Sequence, residues 1–133
     1  MSDLPVPFRA FDFLISIMGP GGVETILGGF SEAAVPPVKV PGVHTVSDVT
    51  MKRGVVNSQG LAGWIAAAHS GGADSRLDAM LVERDELRNP VRFWRLVGSL
   101  PMKYTGHVLG SDGDVAIEEL VLSVERIEIV SPH

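Results

Sequence analysis

The chain has no cysteine. That excludes disulfides, thiolate zinc sites and a cysteine nucleophile, and it leaves the redox compartment open. A basic excess is also missing. Its 11 Lys and Arg stand against 16 Asp and Glu, a formal charge of −5, and the basic residues are scattered, which disfavours binding to a phosphate backbone. Nor is there a long hydrophobic run. Apolar stretches such as Phe13-Leu14-Ile15 break within a few residues, far short of the ~20 that a membrane helix requires. The opening Met1-Ser2-Asp3-Leu4-Pro5 lacks the basic and apolar regions of a secretion signal. Synthesis in the cytoplasm and no membrane partner are expected.

What is present suits a single domain over 1–133, since the 133 residues fall below the ~150 of an average domain. A chain of this size buries roughly two-thirds of its unfolded surface, enough for a core without covalent staples. The apolar share of 45% and mean hydropathy of +0.24 exceed what a lone small domain needs. Surplus apolar surface points to an interface.

Alternation dominates the pattern. From Phe8 to Met18, Phe11, Phe13, Ile15 and Ile17 share one face, and Asp12, Leu14, Ser16 and Met18 the other. Period two predicts a strand, ended by the turn Gly19-Pro20-Gly21-Gly22. A second extended stretch covers Thr25 to Val35, where Gly28-Gly29 marks a bulge or a close backbone approach. Val46 to Arg53 reads as a third, with Val49 and Met51 opposite Asp48, Thr50 and Lys52. Further strands are expected near 76–84, 91–98, 101–108 and 115–129, with turns at Asn89-Pro90, Ser99 to Pro101 and Ser111 to Asp114. The last is apolar on both faces, Val121 and Ile127 on one and Leu120, Leu122 and Val124 on the other. Such a strand needs a second cover, and another subunit would supply it. One helix interrupts the series. Leu61, Trp64, Ile65 and Ala68 form a single stripe, Asn57 or Ser58 is the N-cap and Gly71-Gly72 the stop, predicting a helix over 58–69.

Candidate chemistry is sparse. His44, His69, His107 and His133 show no metal-binding spacing, and no cofactor or metal is expected. His69 falls where it meets the last carbonyls of the helix. The glycine turn at 19–22 lacks the lysine and hydroxyl residue of a phosphate loop. Asp112-Gly113-Asp114 lacks the closing glutamate of a calcium loop. Glu118 and Glu119 are adjacent on a strand and are expected on opposite faces, so they do not form a catalytic pair. No GxSxG motif supports a triad of Ser31, His107 and Asp12. The chain is read as non-enzymatic.

Several segments, in order, carry a resemblance. They are Phe11-Asp12-Phe13-Leu14-Ile15-Ser16-Ile17, Gly29-Phe30-Ser31-Glu32, Lys39-Val40-Pro41-Gly42, Val49-Thr50-Met51-Lys52-Arg53-Gly54, Trp64, the stretch from Trp94 to Pro101-Met102-Lys103-Tyr104, and Glu118-Glu119-Leu120-Val121-Leu122. Together they resemble the tail tube protein family of contractile bacteriophages and related contractile injection systems. The chain departs from that pattern in having only Ala33 to Val38 where the family carries a longer polar insertion.

The resemblance implies a subunit of an inner tube, assembling with itself into stacked hexameric rings whose strands continue from subunit to subunit. It further implies a sheath outside, baseplate and tape-measure-type proteins as partners, DNA or protein cargo passing through, and residence in the assembled virion tail or injection particle. The lumen-facing row is expected to be polar and mostly acidic or neutral. The fold class expected is mainly β, a small antiparallel sandwich or barrel with one flanking helix. Phe11, Phe13, Ile15, Trp64, Ile65, Trp94, Leu120 and Leu122 are the expected core and subunit-packing residues. Pro36 to Thr45, with Pro36, Pro37, Lys39, Pro41 and His44, is the expected inter-ring loop. Two alternatives remain: a specialised ring that starts or ends the tube near the baseplate, and a monomeric β-barrel binding a small ligand.

Overall fold

The computed structural model describes residues 11–19, 22–37, 46–70, 76–106 and 113–130. Its elements are β1 (Phe13–Met18), β2 (Glu24–Ala34), β3 (Ser47–Asn57), α1 (Ser58–His69), β4 (Leu77–Arg84), β5 (Pro90–Gly106) and β6 (Asp114–Val130). The strands close into a barrel in the order β1-β2-β3-β6-β5-β4, every neighbouring pair antiparallel.

Alternation along each strand fills the barrel. Ile15, Leu81 and Trp94 are register neighbours and point inward, with Ile15 and Leu81 fully buried. Phe30, Met51, Leu96, Leu120 and Leu122 join them with no accessible surface. A barrel this small is filled by its own side chains. Helix α1 adds Leu61, Trp64 and Ile65 to the same core while packing on β3 and β5. It starts where β3 stops because the Asn57 carboxamide accepts the Gly60 N–H at 2.8 Å, satisfying a donor the first turn would leave open. Its span is the one the apolar stripe predicts. The expected stop at Gly71-Gly72 lies outside the described residues, and Ser70 forms the cap.

The structure corrects several expectations. β1 begins at Phe13, not Phe8. Phe11 precedes the strand and lies against the outside of β2, where a side-chain carbon on Gly29 would sit 2.9 Å from its ring. Leu14, the register partner of Gly29, and Ser16, both on the face opposite Ile15, are buried as well. β3 runs past Arg53 to Asn57.

The turn expected at Ser99 to Pro101 does not form; β5 is one strand of 17 residues. Gly98, at φ +64, bends the strand without ending it. The carboxylate of Asp78 accepts the Gly98 N–H at 3.2 Å, and the Ser99 hydroxyl donates to the Leu96 carbonyl at 2.9 Å. Turn-forming residues are thus absorbed into a bend that keeps its ladder to β6.

The faces of β6 also differ from the alternation. Ile127 joins Leu120, Leu122 and Val124 in the core, while Val121 is half-buried outside. Ser123, on the outer side, is covered from within the chain. The Arg76 guanidinium reaches the Gly98 carbonyl at 2.7 Å and the Ser123 carbonyl at 3.4 Å. The second cover expected from another subunit is not needed there.

Candidate assembly surface

Closure of the barrel through β1 and β4 removes most of the edge that an open six-stranded sheet would leave. It is not complete along the strands. β1 pairs with β2 only up to Phe13↔Phe30, and β4 meets β5 only up to Leu77↔Ser99. β2 continues through Ser31–Ala34 and β5 through Leu100–Gly106. With β3 and β6 between them, these segments extend the sheet as β2-β3-β6-β5. Among the described residues, the outer edges of both segments have no strand partner.

A fold line crosses the start of this extension. On β2 the inward residues pass from Phe30 to Ala33, on β3 from Val56 to Met51, and on β6 from Ile117 to Leu120. Each change breaks strict alternation by one residue. Ser31, Arg53 and Glu118 stand at the break and have no register partner in the ladders between these strands. Arg53 has the left-handed φ of 54, and its carbonyl accepts the Ser31 hydroxyl at 2.9 Å. The register is the same on either side of these three residues, so no residue is inserted, and the left-handed Arg53 interrupts the pleat and turns over the faces beyond it. Consequently Glu118 and Glu119 both lie outside the core, contrary to the opposite faces that simple alternation predicts.

Beyond the fold line the outer face is polar. Glu32 pairs in register with Lys52, and Lys52 with Glu119. The Lys103 ammonium stands 3.3 Å from the Glu119 carboxylate. Acid and base therefore alternate across the sheet from β2 to β5. Asp48, Thr50 and Thr105 complete the polar face, Arg53 also holds Glu32, and Ala34 and Val121 are its apolar members. An open depression of about 160 Å³ is lined by Glu32, Ala33, Ala34, Thr50 and Lys52.

The barrel flank carries a second set of ions. Arg95 donates to Asp78 at 3.0 Å, and Arg126 to Glu128 at 2.8 Å. The Arg95 hydrogen bond, helped by the Gly98 N–H, holds the Asp78 carboxyl below its usual range against a smaller opposing effect of burial. Among the described residues, no group of His, Asp and Glu gathers to hold a metal ion, and no helix is long and apolar enough to cross a membrane.

The expected packing residues fall in different places. Ile15, Leu120 and Leu122 are fully buried; Trp64, Ile65 and Trp94 are buried near the surface. Phe13 packs on the core partly exposed, and the Arg92 guanidinium lies over the Trp94 ring at 5.4 Å. Among the described residues, none of these lies on the outer edges of Ser31–Ala34 or Leu100–Gly106. Pro36 is half-buried and Pro37 exposed. Lys39, Pro41 and His44 lie outside the described residues, as do His107, Ser111, Asp112 and His133. His69 closes α1 and is exposed. Local alternation misses the edge segments because a strand's free side depends on where its neighbours stop.

The described residues thus form a closed antiparallel barrel with a protruding polar sheet. The sequence matches the family described as T4-like virus tail tube protein gp19 over residues 10–128, and the chain belongs to that family. Among curated proteins, none matches the sequence. Solved structures share the fold. The tube-terminating cap of the anti-feeding prophage aligns with TM-score 0.56 at 14% identity, covering 99% of this chain and 96% of that one. A chain of the sheath-tube complex of the extracellular contractile injection system PVC aligns with TM-score 0.58 at 14% identity, covering 96% and 93%. The Hcp1 protein of E. coli EAEC 042 aligns with TM-score 0.50 at 12% identity, covering 92% and 100%.

Proposed function

We propose that this protein is a non-enzymatic structural subunit of the inner tube of a contractile tail or injection particle, forming hexameric rings that stack into a conduit. Family membership supports the tube. The observation that carries the assembly is the four-stranded β2-β3-β6-β5 extension, whose two outer edges have no strand partner among the described residues. Exposed edges are templates for pairing with another chain, and a ring of copies consumes both edges of each subunit. Strands then continue from copy to copy. A sheath surrounds the tube, a baseplate lies at one end, and DNA or protein passes through.

The filled barrel argues against a small-ligand module: among the described residues the inward side chains are fully buried, and the depression at Glu32 and Thr50 is open. A second reading is a ring that terminates the tube, suggested by the likeness to tube-terminating chains. Negative-stain microscopy of the purified protein tests both. Stacked rings establish the tube subunit, rings that never stack favour the terminator, and a clean monomer at high concentration by light scattering refutes assembly.

A further inference from the structure

Where β5 leaves β4, the pairing slips by one residue. Ala79 faces Leu96 and Leu77 faces Ser99, so Asp78 alone stands opposite Val97 and Gly98. On the other side the ladder runs through undisturbed, Val97 to Arg126 and Ser99 to Val124. The irregularity is therefore a bulge on β5 that faces β4. Past Ser99, among the described residues, β5 has no β4 partner, and the arm of residues 100–106 pairs with β6 alone. The bulge is thus the joint between the closed barrel and the arm.

Gly98 at this joint takes φ +64, where a β-carbon would also strike the Glu125 carboxylate. Glycine tolerates both conditions, and it is also the residue with the most backbone freedom. Its two backbone groups are tied down by side chains. The Asp78 carboxylate accepts the Gly98 N–H at 3.2 Å, and the Arg76 guanidinium donates to the Gly98 carbonyl at 2.7 Å. Arg76 also reaches β6, at 3.4 Å from the Ser123 carbonyl and 3.5 Å from its hydroxyl. Ser123 is the register partner of Leu100, where the arm begins. Arg95 holds Asp78 in turn at 3.0 Å. Both bonds to Gly98 have an ionised partner and are stronger than neutral ones.

We infer that Arg76 and Asp78 are positioning residues, a clasp that locks the bulge at Gly98 and so holds the β5 arm in one direction before another chain meets it. Its part in assembly rests on the tube-subunit reading. A bulge re-aims the strand beyond it, and a glycine joint without the clasp samples several directions. An edge ordered in advance loses less freedom on binding. The strand that closes the barrel thereby sets the pose of an edge with which it does not pair.

Hydrogen exchange followed by mass spectrometry, below the concentration at which rings form, tests the clasp in Arg76→Met and Asp78→Ala. Arg76→Met keeps an apolar stem of similar length, so the fold should survive it. Amides of the arm that pair with β6 are expected to exchange at least about tenfold faster, as loss of one charge-assisted bond implies. Those of β1 and β2 should keep their rates. Arg95→Gln leaves both bonds to Gly98 in place and should leave the arm unchanged. So should Asn57→Ala, which destabilises the chain at the α1 cap. Arm rates equal to the unaltered protein's, or raised equally in β1 and β2, overturn the clasp. In the two clasp variants rings should appear only at about tenfold higher concentration. A loosened arm that assembles at the unaltered protein's concentration overturns the clasp's part in assembly. If the unaltered protein forms no rings, the tube-subunit reading fails, and the exchange rates still decide the clasp.

Discussion

Gly54 offers the sharpest test of the packing at the fold line. A β-carbon there would stand 2.1 Å from the Gly29 carbonyl oxygen and 2.6 Å from the Phe30 ring. Neither neighbour can retreat cheaply. Phe30 is fully buried, and Gly29 is held between β1 and β3 by its register partners Leu14 and Val55. Overpacking a dense core costs about 1–3 kcal/mol, and a clash with backbone belongs at the upper end, ~3 kcal/mol for Gly54→Ala. Total stability for a domain is roughly 5–15 kcal/mol, so this is a large fraction of it. The melting temperature should fall by about 10 °C, at roughly 3–5 °C per kcal/mol for a chain of this length. Gly29→Ala meets only the side chain of half-buried Phe11 at 2.9 Å, and should cost about 1 kcal/mol or less. Gly63, on α1, has nothing within 4 Å, so Gly63→Ala should stabilise by about 0.5–1 kcal/mol through helix propensity. Thermal and urea melts followed by circular dichroism measure all three. Gly54→Ala within 1 kcal/mol of the unaltered protein, or an inverted order, would refute the reasoning.

Other outcomes follow from single sites. Leu122→Asp buries an unpaired carboxylate where the side chain has no accessible surface; the folded monomer itself should be lost, at about 4 kcal/mol or more, and a monomer with normal circular dichroism would contradict this. Asn57→Ala removes the carboxamide that accepts Gly60 N–H and should cost ~1 kcal/mol, read from urea denaturation. Asp78 has a lowered pKa in the folded protein. Its contribution is therefore complete above the unfolded carboxylate value of about 3.9 and is lost as pH falls through the folded value. The stability gap between the unaltered protein and Asp78→Asn should narrow on acidification below pH ~4; a gap that widens there would refute the assignment.

Much of the local structure was legible in the residues. The stripe of Leu61, Trp64 and Ile65 with the Asn57 cap marks α1, because helix periodicity and capping are short-range effects. The inward placement of Val49 and Met51 follows from period two for the same reason. Turn chemistry was less reliable: Gly98, Ser99 and Pro101 resemble a loop, yet here the left-handed glycine and the Asp78 carboxylate turn them into a bend within a paired strand. The assembly surface was legible only as surplus apolar content and as a family resemblance.

By itself, then, the chain's order of apolar, polar and capping residues determined the β-rich composition, the single amphipathic helix, and most side chains of the core, since each depends on neighbours a few positions away. Tertiary structure alone decided that β1 and β4 close the barrel, that the sheet changes face at Ser31, Arg53 and Glu118, and that, among the described residues, β2 and β5 outrun their partners. These depend on which distant strands meet and in what register. A strand's free side is the absence of a neighbour, and nothing in its own residues encodes where that neighbour stops.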